Sequence, residues 1–373
     1  MSETGMKCEI EFLPVGSKSR PGDSIVARYG EEGDFRLMVV DGGMVESGQA
    51  LVRHLRKQYG NDVSVEHAVL THADADHASG LRELLNEIQV EHLWMHVPWL
   101  LAPKALHLFE KKDWDERAIR NVVRKEYDIL AELFDLATKA GTRIHYPFQG
   151  NNIGPFTVLS PSSEQYTYLL PQFDKTPAPD EKAIEEAGFW IEPVIRGISE
   201  DVLEDAQQWI DETWSTEHLR DGARTSPSNE SSVILYANIA SNRRIQLTGD
   251  AGVKALSWAV QYAKASGFPL RSFSFVQIPH HGSRSNVGPT VLNELFGPIL
   301  PEGSQSKFTA YVSAPADDAT HPRKMVLNAF VRRGGRVYAT QGKSRVHCGG
   351  FEWRKGYSKV EAIPLSPVVE EYD

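Results

Sequence analysis

Cysteine is nearly absent from this 373-residue sequence: only Cys8 and Cys348 occur, far apart and without Cys-x-x-Cys spacing. That excludes a disulfide framework and a thiolate metal site, so any metal must be held by histidine and carboxylate. Long apolar runs are also missing, and nothing approaches the roughly 20 residues needed to span a bilayer. The opening MSETGMKCEIEF has neither a basic nor an apolar leader region, which makes the cytoplasm the expected address, with no membrane partner. Basic residues are in the minority, 40 Lys and Arg against 50 Asp and Glu, for a formal charge of -10. This argues against a surface that tracks long duplex nucleic acid through its phosphates. No short repeat, heptad run or low-complexity tract is present.

What is there reads as an ordinary folded enzyme. Hydrophobic residues at 41% and charged residues at 24% are enough for a buried core. Apolar periodicity predicts strands at residues 8–15, 24–29, 35–40, 65–70 and 90–97, with helices at 48–59 and 80–88 between them. One long or two consecutive helices are expected over 104–139. Between 160 and 228 the pattern loosens around Pro171, Pro177 and Pro179, and the acidic stretch 201–214 reads as a helix. We expect this stretch to be an inserted lid or rim within a single domain, 1–373, that ends in an extension at 343–373. The α/β rhythm resumes with strands at 232–237, 244–247, 273–278, 309–313 and 336–340 and helices at 253–266, 289–296 and 323–333.

The chemistry concentrates at the end of one strand. In Leu70-Thr71-His72-Ala73-Asp74-Ala75-Asp76-His77-Ala78-Ser79-Gly80, an apolar run delivers four metal-ligating side chains within six residues. Open α/β sheets place sites at strand ends. Strand-like alternation predicts His72, Asp74 and Asp76 on one side, with His77 turning in from the next residue. Imidazole suits zinc, and added carboxylates favour harder ions such as manganese. A solvated turn with Asp74 or Asp76 as a helix cap is the competing reading.

This run resembles the His-x-His-x-Asp-His signature of the metallo-β-lactamase superfamily, with Asp74 in place of the second histidine. The variant His-x-Asp-x-Asp-His is similar to that of the hydrolase domain of ComEC-type competence proteins. Other segments follow in the same order. Gly22-Asp23-Ser24-Ile25 resembles the subgroup's opening run, and Val40-Asp41-Gly42 resembles a strand end whose carboxylate orients a metal ligand from behind. Thr248-Gly249-Asp250 resembles the bridging aspartate. His280-His281-Gly282-Ser283 places His281 at the ligand position, with His280 as a further ligand, a substrate contact or a loop cap. Asn229-Glu230-Ser231-Ser232 stands where other members carry a histidine, which would leave the first metal site one nitrogen short. His321-Pro322 would protonate a leaving group or bind phosphate.

The resemblance implies an α/β fold of the αββα sandwich type, two mixed sheets with flanking helices. It implies one or two divalent ions, zinc or manganese, held by His72, Asp74, Asp76, His77, Asp250 and His281. Asp76, Asp250, His280 and His321 would act catalytically, while Ser283, Arg284 and Ser285 would offer donors to an anionic substrate. The implied reaction is phosphodiester hydrolysis, of nucleic acid or a smaller phosphoester. An amide or thioester hydrolase of the β-lactamase or glyoxalase II type is the alternative, as is an inactive metal-binding interaction module.

Overall fold

The structure is a computed structural model that describes residues 6–17, 20–189, 191, 208–240 and 243–372. In chain order its strands are β1 (Lys7–Phe12), β2 (Ser24–Glu31), β3 (Asp34–Gly42), β4 (Ser64–Val69), β5 (Gln89–Trp94), β6 (Arg143–His145), β7 (Asn152–Ile153) and β8 (Phe156–Ser160). They continue as β9 (Trp209–Asp211), β10 (Ile234–Ala240), β11 (Arg243–Leu247), β12 (Phe275–Gln277), β13 (Phe308–Val312), β14 (Gly335–Ala339), β15 (Arg345–His347) and β16 (Val368–Glu370). Two seven-stranded sheets result, in the orders β15-β1-β2-β3-β4-β5-β6 and β14-β13-β12-β11-β10-β8-β7, with a small β16-β9 ribbon beside them.

Period-two alternation divides the core into three layers. Met38 and Val40 of β3 face the other sheet and meet Phe12, Phe156, Leu235 and Phe275, whereas Leu37 and Val39 face outward beneath helices. Helices cover the second sheet in the same way, with Ala310, Val312 and Val337 against Leu256, Leu292 and Phe330. The result is the αββα sandwich with two mixed sheets.

Within each sheet the first strands pair antiparallel and the later ones parallel. The β3-β4-β5 and β11-β12-β13 ladders are all parallel, so their carboxyl ends open on one rim of the sandwich. Helices return the chain between them. Val45–Tyr59 buries Leu51, Val52 and Leu55 on one face and stops at Gly60. The region predicted as one or two helices holds a 3₁₀ segment, Ala102–Leu108, followed by Glu116–Glu126 and Asp128–Ala140. Asp115 caps the former through the Ala118 amide, and Gly141 in the left-handed conformation ends the latter.

One expectation needs correction. Residues 201–207 of the helix read at 201–214 lie outside the described residues, but 209–211 form β9, pairing with the tail strand β16 rather than coiling. Long-range pairing overrides local composition here. Within the stretch 160–228 expected as an inserted lid or rim, Tyr166, Leu169, Leu170 and Phe173 pack into the core under the first sheet. Among the described residues, no helix is long and apolar enough to cross a membrane.

Candidate metal centre

Strand β4 ends at Val69, so the alternation expected across 72–76 does not continue. Ala75–Ala78 is one helical turn with Asp74 at its amino-terminal boundary, and it swings His77 back toward the sandwich. Two glycines let the neighbouring loops close on this turn. Gly22, at φ 57°, lies so near the chain that an added Cβ would fall 1.9 Å from the Asp76 carbonyl oxygen. Gly249, at φ 50°, would place one 2.9 Å from Thr71 Cβ.

Four histidines converge on one carboxylate. Asp250 Oδ2 lies 3.2 Å from His77 Nε2, 3.7 Å from His280 Nε2 and 3.8 Å from the Nε2 atoms of His72 and His281. Each imidazole is fixed from behind through Nδ1. His77 Nδ1 donates to Asp41 Oδ2 at 2.8 Å, and His281 Nδ1 donates to the Ser313 carbonyl at 3.2 Å. His280 Nδ1 donates to Asn286 Oδ1 at 2.7 Å, while Asn286 Nδ2 donates to the Asp250 carbonyl at 2.7 Å. Thr71 Oγ1 donates to Asp41 Oδ2 at 2.7 Å and therefore accepts from His72 Nδ1 at 3.0 Å. These acceptors select the Nδ1–H tautomer in each ring and leave Nε2 turned inward.

Asp41 joins these elements. It is fully buried in a left-handed conformation at φ 58°, and its Oδ1 also accepts the Thr71 amide at 2.8 Å. Asp74 Oδ2 lies 3.5 Å from His72 Nε2, and its Oδ1 accepts from Ser228 Oγ at 2.6 Å. Asp76 offers an oxygen within 4.8 Å of ligand atoms of His77 and His281. All six residues expected as ligands therefore share this cluster, and His280 lies within it.

The electrostatics follow from burial and charge. Burial alone would lower His77, yet the Asp250 and Asp41 carboxylates on its two nitrogens hold it well above the ordinary histidine value. His281 is pushed down to about 3, chiefly by burial. Burial would raise Asp250, but His77, His280 and His281 hold it well below the carboxylate range.

The donor set fits a divalent cation. His72 Nε2, His77 Nε2, His281 Nε2 and Asp250 Oδ1 are buried without any hydrogen-bond partner, although most buried polar atoms have one. Asn229, where a histidine was missing, lies behind His280: its Nδ2 is 3.3 Å from His280 Nδ1 and donates to Thr225 Oγ1 at 2.7 Å.

Several residues of the centre received no role from the sequence. Asp23, 1% exposed, accepts from Gln277 Nε2 at 2.8 Å across 254 residues of chain and shares a donor group with Asp41 and His77. Burial pushes it up to about 7. Asn286 is fully buried, and Asp318 Oδ2 accepts from His321 Nδ1 at 3.1 Å. The three-residue spacing of Asp318 and His321 was a usable signal; Asp23 meets its partner Gln277 only through the packing of the two sheets, and Asn286 reaches the Asp250 carbonyl across 36 residues. His321 enters the centre's surroundings because Arg323 N bonds the Gly282 carbonyl and Pro322 packs on Gly282. Ser283 Oγ accepts from the Ser285 amide at 3.1 Å, and Arg284 binds the Glu371 carbonyl at 3.0 Å and lies over the Tyr372 ring.

Residues 20–147 match the family described as the metallo-beta-lactamase superfamily. Over that stretch the chain is similar to a metallo-beta-lactamase superfamily domain. Proteins of this superfamily are mostly metal-dependent hydrolases. Among solved structures the domain is similar to unliganded yeast PDE1, with 12% identity, TM-score 0.44 and coverage of 91% of this chain and 99% of that one. It is also similar to the metallo-beta-lactamase fold protein YhfI from Bacillus subtilis, with 10% identity, TM-score 0.41 and coverage of 91% and 100%. A third is the isothiocyanate hydrolase from Delia radicum gut bacteria, with 9% identity, TM-score 0.36 and coverage of 90% and 98%. No curated protein matches the chain.

Proposed function

We propose that the chain is a metal-dependent phosphodiesterase whose centre is the ring of imidazoles around Asp250. The carrying observation is the set of inward Nε2 atoms 3.2 to 3.8 Å from Asp250 Oδ2, each imidazole held from behind through Nδ1. His72, Asp74, Asp76, His77, Asp250 and His281 would hold one or two cations, zinc or manganese, and His280 would supply the nitrogen absent at Asn229. When bound, such cations supply a nucleophile at neutral pH and offset charge developing on the substrate. Asp41, Thr71, Asn286 and the Ser313 carbonyl keep the histidines in the ligating tautomer.

The rest of the reaction falls to the protein's own groups. His321, oriented by Asp318 through Nδ1, would hold a proton on Nε2 and pass it to the leaving oxygen. Ser283 and the loop that carries it would bind a non-bridging phosphoryl oxygen. A carboxylate-rich donor set and a carboxylate-oriented acid suit an anionic ester with a poor leaving group. They are not needed for a strained lactam.

The test compares bis-p-nitrophenyl phosphate with nitrocefin and a thioester, using protein stripped of metal and then reloaded with zinc or manganese. Metal-dependent turnover of the phosphodiester above the other two is expected, with loss in an Asp76→Ala, His77→Ala double variant. Faster nitrocefin or thioester cleavage, or phosphodiester turnover that survives metal removal, would sink the reading.

A further inference from the structure

The layer between the sheets is apolar from Ile10 and Phe12 to Leu235 and Phe275, and it changes character at one edge. There β14 and β15 are the outermost strands of their respective sheets. A cleft of ≈ 380 Å³ lies at this edge, within the roughly 300–1,000 Å³ typical of small-molecule sites. Strand register accounts for its lining. Val337 and Ala339 enter the helix-covered core, so Arg336 and Tyr338 take the opposite, inward face of β14. Arg345 pairs with Phe12 and His347 with Ile10, which puts both on the inward face of the other sheet. Arg336 stands at the amino-terminal end of β14, away from the strand ends that carry the histidines. Residues 353–360 of the tail close the cleft.

The lining holds three permanent cations, Arg336, Arg345 and Lys359, and no carboxylate, in a chain whose acids outnumber its bases. Among the described residues none of the three forms an ion pair. Arg345 is positioned by carbonyls alone, with Nε donating to Ala339 O at 2.8 Å and Nη1 to Ser344 O at 3.4 Å, so its charge is aimed but not neutralised. Uncompensated like charges brought together in this way call for an anion. Trp353 adds a second requirement. The residue is 52% exposed, and its Nε1 donates to Tyr357 O at 3.1 Å, which orients the ring beside the cations.

We propose that this cleft is a second binding site, separate from the metal centre, for a phosphorylated aromatic molecule of the nucleoside monophosphate class. Arg336, Arg345 and Lys359 take the phosphate, and Trp353 stacks on the ring.

The test is calorimetric titration of metal-free, full-length protein with AMP, adenosine and inorganic phosphate; removing metal silences the other anion site. Saturable binding of one AMP is expected, at least about tenfold tighter than adenosine or phosphate. Arg336→Glu should weaken AMP binding by about tenfold or more, and Trp353→Ala by several-fold. Both positions are exposed, so thermal unfolding should be unchanged. The proposal is overturned by any of three results: no saturable AMP binding, phosphate binding as tightly as AMP, or AMP affinity untouched by Arg336→Glu.

Discussion

His77 and His281 are both buried, both turn Nε2 toward Asp250, and both donate through Nδ1, yet they sit on opposite sides of the ordinary histidine value. Asp250 Oδ2 is nearer to His77, at 3.2 Å against 3.8 Å, and the partner behind the ring differs as well. His77, from the first sheet's half, is backed by the Asp41 carboxylate, whereas His281, from the second half, is backed by the neutral Ser313 carbonyl. A carboxylate offsets the burial penalty of a charged ring; a carbonyl orients the ring without doing so. The centre thus joins one ring that favours its charged form to one that stays neutral in acid. His96 extends the series: buried beside Tyr166 and Phe148, it has no hydrogen-bond partner on either nitrogen, and burial pushes it down to about 3.

The contrast can be broken at several points. The largest effect should come from deleting a shared member: His77→Ala or Asp250→Ala is expected to lower metal-dependent turnover by roughly a thousandfold or more. Steady-state kinetics on a phosphodiester with metal in excess would check it, with folding verified by circular dichroism.

Next comes Asp41→Asn, which keeps a hydrogen-bonding group but removes the charge behind His77. Metal affinity should fall by about 10- to 100-fold in competition with a chelator. An unchanged affinity would mean that the charge behind the ring does not matter.

His96 tests the burial term alone. Because its folded value lies below the ordinary 6.5, the unfolded chain takes up the proton first as pH falls. Its contribution is complete above about pH 6.5 and is lost toward pH 3, at about 1.4 kcal/mol per pH unit. His96→Phe should therefore lose roughly 2 kcal/mol less stability than the parent between pH 6.5 and 5, read by urea unfolding at both pH values. Equal losses in the two chains would show that His96 reaches water.

The smallest effect belongs to Asn286→Leu. The side chain of His280 is 21% exposed, so water can partly replace the lost acceptor, and metal affinity should fall by about tenfold or less. A loss as large as that of Asp41→Asn would remove the distinction between charged and neutral backing.

Much of this was legible in the chain. Apolar periodicity marked the longer strands, because one face of each must be buried, but it missed β6, β7, β8, β9, β15 and β16. The clustering of His72, Asp74, Asp76 and His77 was legible because residues so close in sequence at a strand end cannot be far apart. Their exact presentation was not, since the helical turn at Ala75–Ala78 replaced the expected alternation. The strand at 209–211 was misread as helix because its partner lies about 160 residues onward, at Val368–Glu370.

The sequence by itself determined the layered α/β architecture and the metal-binding character of the run at His72, since both rest on local periodicity and spacing. Only the tertiary structure decided that His280 turns toward Asp250 while Asn229 stands behind it. The same holds for Asp23 reaching Gln277 and for the meeting of Arg336 with Arg345 at the sheet edge. The reason is physical: each of these depends on how different strands and the loops at their ends are brought side by side. Register is set by which faces must be buried together, not by the residues on either side of the one in question.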